Sequence, residues 1–333
     1  MSAATSAMDA RPRSADVLAA WGRRNAWVVG LLCFLVLLLV FTRFIQPNYG
    51  VAGVRNLGIS VLPLALAAVA QAIVVISGGI DLSIGSMMAL TSVVSATLMK
   101  GQSEEIGVVV VVGVLLLGIL LGAINGALVV VTRVPDIVVT LAMSFVWAGA
   151  ALLVLKTPGG GSAAWLKDLV SGSFVNEWVP KAAVVLIVIV AVVWIPLRRS
   201  RLGLSIYAIG SNRLAAFRSG VAVSRTRIVA YALTGLFAAL GGLSLTASTG
   251  LATPVPGPYT LLSVAAIVLG GVTLAGGRGG VFGPILAVVI LQLIRTDMTF
   301  LNINTNLAVV AQGVILIGVV MIGSLIQIRR ANA

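Results

Sequence analysis

Histidine is absent from this 333-residue chain, and cysteine occurs once, at Cys33. Those two gaps remove whole classes of chemistry. A disulfide framework within the chain cannot exist, a His/Cys metal site lacks ligands, and nucleophile–histidine catalysis lacks its base. Cys33 lies inside an apolar run and reads as a small packing residue. Charge is scarce too. Charged residues make up 9% of the chain, where a soluble domain carries about a quarter. Too few charges remain to wet a surface, so lipid must cover it.

What is present supports that conclusion. Hydrophobic residues fill 59% of positions and the mean hydropathy is +1.14. A hydrocarbon core takes roughly 20 apolar residues per helix. The pattern predicts an all-α, polytopic membrane protein of about ten transmembrane helices, with both termini cytoplasmic. The net charge of +13 comes with only 6% aromatics, and its arginines sit at the ends of apolar runs. Nucleic-acid binding needs a continuous basic groove or platform, so a positive-inside bias explains the charge better.

Residues 1–25 form a polar tail with Arg11, Arg13, Arg23 and Arg24, predicted to be cytoplasmic. The run Ala26–Ile45 is long for the apolar core of a signal peptide, and no convincing small-residue cleavage site follows it, so it reads as a retained helix. Further spans are expected at 54–77, 84–99, 107–131, 137–155, 181–197, 227–249, 260–275, 281–297 and 305–327. Together they make one transmembrane domain, 26–328, with a short cytoplasmic tail at 329–333. With sides alternating, most of the 22 basic residues fall in the inner segments, Arg329 and Arg330 among them.

Two connections are long. The outer one, 156–180, begins Lys156-Thr157-Pro158-Gly159-Gly160-Gly161, a turn signal, and continues into Ala164–Val170. The latter is expected to be a short helix at the interface anchored by Trp165, either as a solvated loop or as a docking surface. The inner connection, 198–226, carries Arg198, Arg199, Arg201, Arg213, Arg218 and Arg225 and no acidic residue. Ser211 or Asn212 can cap a helix start there, and Gly220 can end one in a left-handed conformation. Leu214, Ala215 and Phe217 give that helix, about 211–220, an apolar face. So short a helix needs something to pack against, either its own bundle or a cytoplasmic partner.

Asp81 is a lone carboxylate in the apolar stretch Ile76-Ser77-Gly78-Gly79-Ile80-Asp81-Leu82-Ser83-Ile84-Gly85. Mid-membrane, an Asp costs roughly 2.5–3.5 kcal/mol. Gly78-Gly79 can break the helix, so that Asp81 or Ser83 caps the next one. Structural capping, a gating or partner contact, and direct solute or proton contact are all open readings. A second break, from Leu269-Gly270-Gly271 to Gly276-Gly277-Arg278-Gly279, resembles the first. The pair raises the idea of a duplicated half. Neither break is a phosphate loop, so ATP has no recognisable site in this chain. Gly118, Gly122 and Gly126, spaced by four, predict close helix packing. Gln71, Asn125, Ser144, Trp147, Asn302 and Asn304 are candidates to line a hydrated path.

The first break, Gly78-Gly79-Ile80-Asp81-Leu82-Ser83-Ile84-Gly85, is similar to the signature of permease subunits in bacterial ABC sugar importers of the ribose/xylose/galactose type. Three further stretches resemble that family in the same order. They are Pro135-Asp136-Ile137-Val138-Val139-Thr140-Leu141, Gly210-Ser211-Asn212 through Ala215-Ala216 to Gly220, and Leu269-Gly270-Gly271 through Gly276-Gly277-Arg278-Gly279. The similarity covers about residues 50–325. Asp136 is an unusual charge at its position, Ala142 stands where Gly is usual, and Arg213 stands where an acidic residue is frequent. The resemblance implies an inner-membrane permease that pairs with a second permease, identical or closely related. It implies a separate cytoplasmic ATPase that binds the ATP, and a periplasmic solute-binding protein. Gly210, Asn212, Ala215, Ala216 and Gly220 would belong to the ATPase-coupling helix. The alternatives are an ion-coupled secondary carrier using Asp81, or Asp297 near an outer end, and an intramembrane enzyme.

Overall fold

The computed structural model describes residues 26–303 together with 307, 310, 313, 314, 318 and 321. The tail 1–25, the end of the chain at 329–333, Asn304 and most of the span expected at 305–327 lie outside the described residues. Among the described residues the regular structure is helical: α1 Ala26–Ile45, α2 Val51–Ile76, α3 Ile84–Met99, α4 Glu104–Thr132, α5 Asp136–Val154, α6 Ala164–Val170, α7 Lys181–Arg199, α8 Arg201–Ser211, α9 Arg213–Arg218, α10 Val223–Thr249, α11 Tyr259–Leu269 and α12 Phe282–Phe300. Seven of these, α1, α2, α4, α5, α7, α10 and α12, are long and apolar enough to cross a membrane.

Helix α2 is the axis of the bundle, buried continuously from Val61 to Ile76. It packs on α10, which also contacts α3 and α4. Glycine makes the α4–α10 contact close: a Cβ on Gly122 would run into the Tyr231 carbonyl, and one on Gly235 into that of Gly118. The four-residue spacing therefore does what packing of small residues predicts. Helices α1 and α5 keep broad apolar faces outward, as lipid-facing helices must. Cys33 lies on such a face, exposed rather than packed. Its neighbours in α1 are nearly all apolar, so no pattern in the sequence marked which side turned inward.

Two helices are short, and one corrects an expected boundary. The span anticipated at 260–275 is only the 11-residue α11. Before it, Pro254, Pro256 and Pro258 forbid helix; after it, Gly270-Gly271 end one. Helix α3, at 16 residues, is almost wholly enclosed. The two meet at their N-terminal ends, where the Gly85 amide donates to Thr260 Oγ1 at 2.9 Å. Such broken helices are tolerated at membrane depth when protein surrounds them. In α7, Pro196 removes an amide, and the preceding turn, Val190–Trp194, widens to a π-turn.

The long connections are more ordered than expected. Within 198–226 lies the 11-residue amphipathic α8, whose Gly203, Ile206 and Ile209 face inward. The short helix predicted over 211–220 is reduced to α9. In 156–180, α6 forms where predicted, and Trp165 braces it against the start of α4. Its indole donates to the Glu104 carbonyl at 3.1 Å, and the Glu104 carboxylate accepts from the amides of Ala164 and Trp165 at the start of α6.

Candidate functional site

The two helix breaks end their helices by the same local chemistry. Gly78 and Gly271 take left-handed φ of 81° and 82°. Gly78 N–H donates to Val75 and Gly79 N–H to Val74; Gly271 and Val272 repeat this onto Val268 and Ile267. These are paired Schellman terminations. Helix α9 ends likewise at Gly220, φ 82°, with Gly220 and Val221 bonding back to Phe217 and Ala216.

The breaks converge on the end of α8. Gly277 N–H donates to the Ile76 carbonyl at 2.9 Å. A Cβ on Gly210 would collide with that carbonyl and with the Gly277 amide, and one on Gly276 would meet Gly78 and the Gly210 carbonyl. The Tyr207 hydroxyl donates to the Gly279 carbonyl at 2.7 Å. Burial pushes its pKa above the usual tyrosine value, so it remains a donor. Gly210, Gly78, Gly276 and Gly277, four residues singled out in the sequence, thus form one junction of touching backbones. Gly270 packs against Gly283 and Pro284, and Gly271 against Trp27. Gly270 and Gly271 thereby tie the second break to α12 and α1.

Beyond that junction α9 stands out from the bundle. Asn212 caps it, accepting from the Ala215 amide at 2.9 Å. Ala216 turns inward against Ile209 and Val223. Leu214 and Phe217 turn outward, 59% and 67% exposed, with Arg213, Ala215 and Arg218 exposed beside them. Of the residues expected on this helix, Gly210 and Ala216 therefore face the protein itself; Leu214, Ala215 and Phe217 offer the face.

Above the first break, four expected residues form one hydrogen-bonded chain. Asp81 Oδ1 accepts from the Ser83 amide at 2.8 Å and from its hydroxyl at 2.6 Å. Asn125 donates to Ser83 Oγ at 2.7 Å, and the Trp147 indole donates to Asn125 Oδ1 at 3.2 Å. Asp81, Ser83 and Asn125 are completely buried. The carboxylate is held in a turn just before the start of α3, bonded to Ser83 itself; neither Asp81 nor Ser83 caps an amide inside the helix with its side chain. Gly85 completes that start by admitting Thr260. Gln71 is also fully buried, and its amide finds no partner among the described residues. Ser144 bonds back to its own helix at the Leu141 carbonyl.

One cluster escaped the sequence. Asp136, at the start of α5, pairs with Arg227 at 2.5 Å and accepts from Tyr231 at 2.6 Å. Gly79 lies against the same carboxylate. Thr140, one turn on, accepts from the Leu82 amide and donates to the Ile80 carbonyl. The unusual charge at Asp136 is thus a clamp joining α5, α10 and the first break. Its signal was a lone Asp and an Arg placed at the edges of predicted spans, 91 residues apart.

Residues 53–322 match the model of a family described as branched-chain amino acid transport system / permease component. The chain belongs to this permease family. It is similar to the ribose import permease protein RbsC of Escherichia coli (strain K12), 30% identical over 311 residues covering 90% of this chain and 96% of the relative. RbsC of Bacillus subtilis (strain 168) is 29% identical, over 86% and 90% of the two chains. The autoinducer 2 import system permease protein LsrD of Salmonella typhi is 26% identical, over 92% and 94%. No solved structure matches. A multi-pass membrane permease is what both the family and the apolar helices require.

Proposed function

We propose that the chain is the membrane-spanning subunit of an ATP-driven importer for a monosaccharide or related small polyhydroxylated solute in the bacterial inner membrane. The observation that carries this reading is α9. A helix of six residues with Leu214 and Phe217 outward and arginines around them is not stable by itself. It suits an apolar groove with an acidic rim on a cytoplasmic ATPase. The end of α8 rests on both helix breaks through Gly210, so a push on α9 would reach α2, α3 and α11 together.

Ten spans, with α9 and both termini on the cytoplasmic side, put 198–226 inside and 156–180 outside. A second permease would complete the path, and a periplasmic binding protein would deliver the solute. The relatives named for ribose and autoinducer 2 support the solute class. ATP would bind the partner subunit, and no catalytic step would fall to this chain.

Affinity purification from native membranes tests the reading. A nucleotide-binding subunit should co-purify with the unaltered chain and be lost with Leu214→Asp or Phe217→Asp, since both side chains are exposed and the fold tolerates the change. Ala216→Asp is a poor probe, because it buries a charge under α9. Retention of the ATPase by the Leu214 and Phe217 variants would overturn the docking surface.

A further inference from the structure

A cavity of ≈ 490 Å³ opens among the ends of α2, α10, α11 and α12 on the face opposite α9. It lies away from Gln71, Asn125, Ser144 and Trp147, the residues the sequence suggested for a path. Its construction starts at Pro63. Proline inside α2 has no N–H to give the Ile59 carbonyl, and Ile59 and Pro63 both line the cavity. Within the helix that carbonyl therefore lacks its usual i+4 donor. Next to it, Gln292 reaches across from α12 and donates to the Ser60 carbonyl at 2.9 Å, which fixes the wall.

The rest of the lining supplies donors and positive potential. Arg295 is exposed into the cavity, and no carboxylate lines it. Among the described residues no acidic group pairs with this guanidinium. Tyr259, the first residue of the short α11, also lines the space, so the positive end of that helix lies at the cavity wall. Thr296 and Thr299 give their hydroxyl protons to their own helix, leaving lone pairs for a ligand. An acceptor carbonyl and hydroxyls suit sugar O–H groups, and a planar guanidinium suits a carboxylate. The size is that of a small-molecule pocket.

We infer that this cavity is an outer solute subsite, and that Arg295 makes it select polyhydroxylated solutes carrying a carboxylate, of the aldonic or uronic acid class. The inference rests on the permease reading above and gives that reading a substrate chemistry.

The test uses the full permease in membrane vesicles with its ATPase, in a Cys33→Ala background. Ser60→Cys or, as a second reporter should the first fail to fold, Thr249→Cys places one thiol in the cavity. The anionic sulfonatoethyl methanethiosulfonate should outpace the cationic trimethylammonioethyl reagent by about fivefold after correction for free thiol, and Arg295→Gln should abolish that preference. Ribonate and gluconate should slow labelling at lower concentration than ribose and glucose, and Arg295→Gln should equalise acid and aldose. Equal protection by acid and aldose in the unaltered cavity, no protection by any of the four, or a charge preference indifferent to Arg295→Gln would each overturn the proposal. A lipid phosphate held by Arg295 would show as the second of these results. ATPase co-purification reports separately on the permease reading, so vesicles that keep the ATPase but show no protection would sink the subsite alone.

Discussion

Gly277 donates its amide to the carbonyl of Ile76, joining the second helix break to the last residue of α2 at 2.9 Å. Gly210 sits against both groups of that bond, with no room for a Cβ. The bond therefore closes only if residue 210 lacks a side chain.

Gly210→Ala should accordingly be more harmful than Gly220→Ala. At 220 the added methyl meets open space, and only the left-handed φ of 82° resists it, at about 1 kcal/mol. At 210 the methyl must push two backbones apart, at about 1–3 kcal/mol or more. Thermal unfolding of the purified protein in detergent should rank the midpoints wild type > Gly220→Ala > Gly210→Ala. Equal midpoints would mean that the junction has slack.

Much of this junction was legible in the sequence, residue by residue, but not as a junction. Glycine pairs announce breaks because few other residues tolerate left-handed φ. Nothing local announces that breaks distant in sequence will touch. The same limit hid the cavity, whose lining comes from the ends of four helices. Helix α3 was bounded correctly, because Gly78-Gly79 stops one helix and Lys100-Gly101 stops the next. Helix α11 was drawn too long, because hydropathy counts Val272, Leu274 and Ala275 as helix although the glycines around them prevent it. Helix α8 was missed under its arginines, although Leu202, Ile206 and Ile209 carry helical spacing.

The pair Asp136–Arg227 makes a second prediction. Arg227 has 6% of its side chain exposed and Asp136 17%, so removing one partner leaves the other charge poorly solvated. Arg227→Met should cost about 2–3 kcal/mol, toward the low end for a broken buried pair. Adding Asp136→Asn to it should recover part of the loss, since the stranded carboxylate disappears. Tyr231→Phe, which removes one of three hydrogen bonds to Asp136, should cost about 1 kcal/mol. A double-mutant cycle on unfolding midpoints gives the coupling, and additive single effects would show that the two side chains act independently.

The buried chain from Asp81 to Trp147 should weaken from its centre outward. Ser83→Ala removes two bonds at once: Asp81 keeps only the residue 83 amide, and the enclosed Asn125 amide loses its acceptor, at about 1–3 kcal/mol. Trp147→Phe removes only the longest bond, 3.2 Å, from a half-buried indole. Unfolding midpoints should fall much further for Ser83→Ala than for Trp147→Phe. The reverse order would assign the stability of this region to the indole's packing instead.

Helix α4 offers the sharpest contrast between glycines in one element. Gly122 faces α10 so closely that a Cβ would overlap the Tyr231 carbonyl, whereas one on Gly113 would meet nothing within 4 Å. Gly113→Ala should be neutral or stabilising by up to about 1 kcal/mol, because alanine loses less backbone freedom in a helix. Gly122→Ala should part α4 from α10, and because α10 also holds α2 and α3, the loss should spread through the bundle. Size-exclusion chromatography of detergent-solubilised protein should show a monodisperse peak for Gly113→Ala and an aggregated one, or a strongly lowered unfolding midpoint, for Gly122→Ala. Two indistinguishable variants would mean that α4 and α10 can separate without cost, which a contact between bare backbones does not allow.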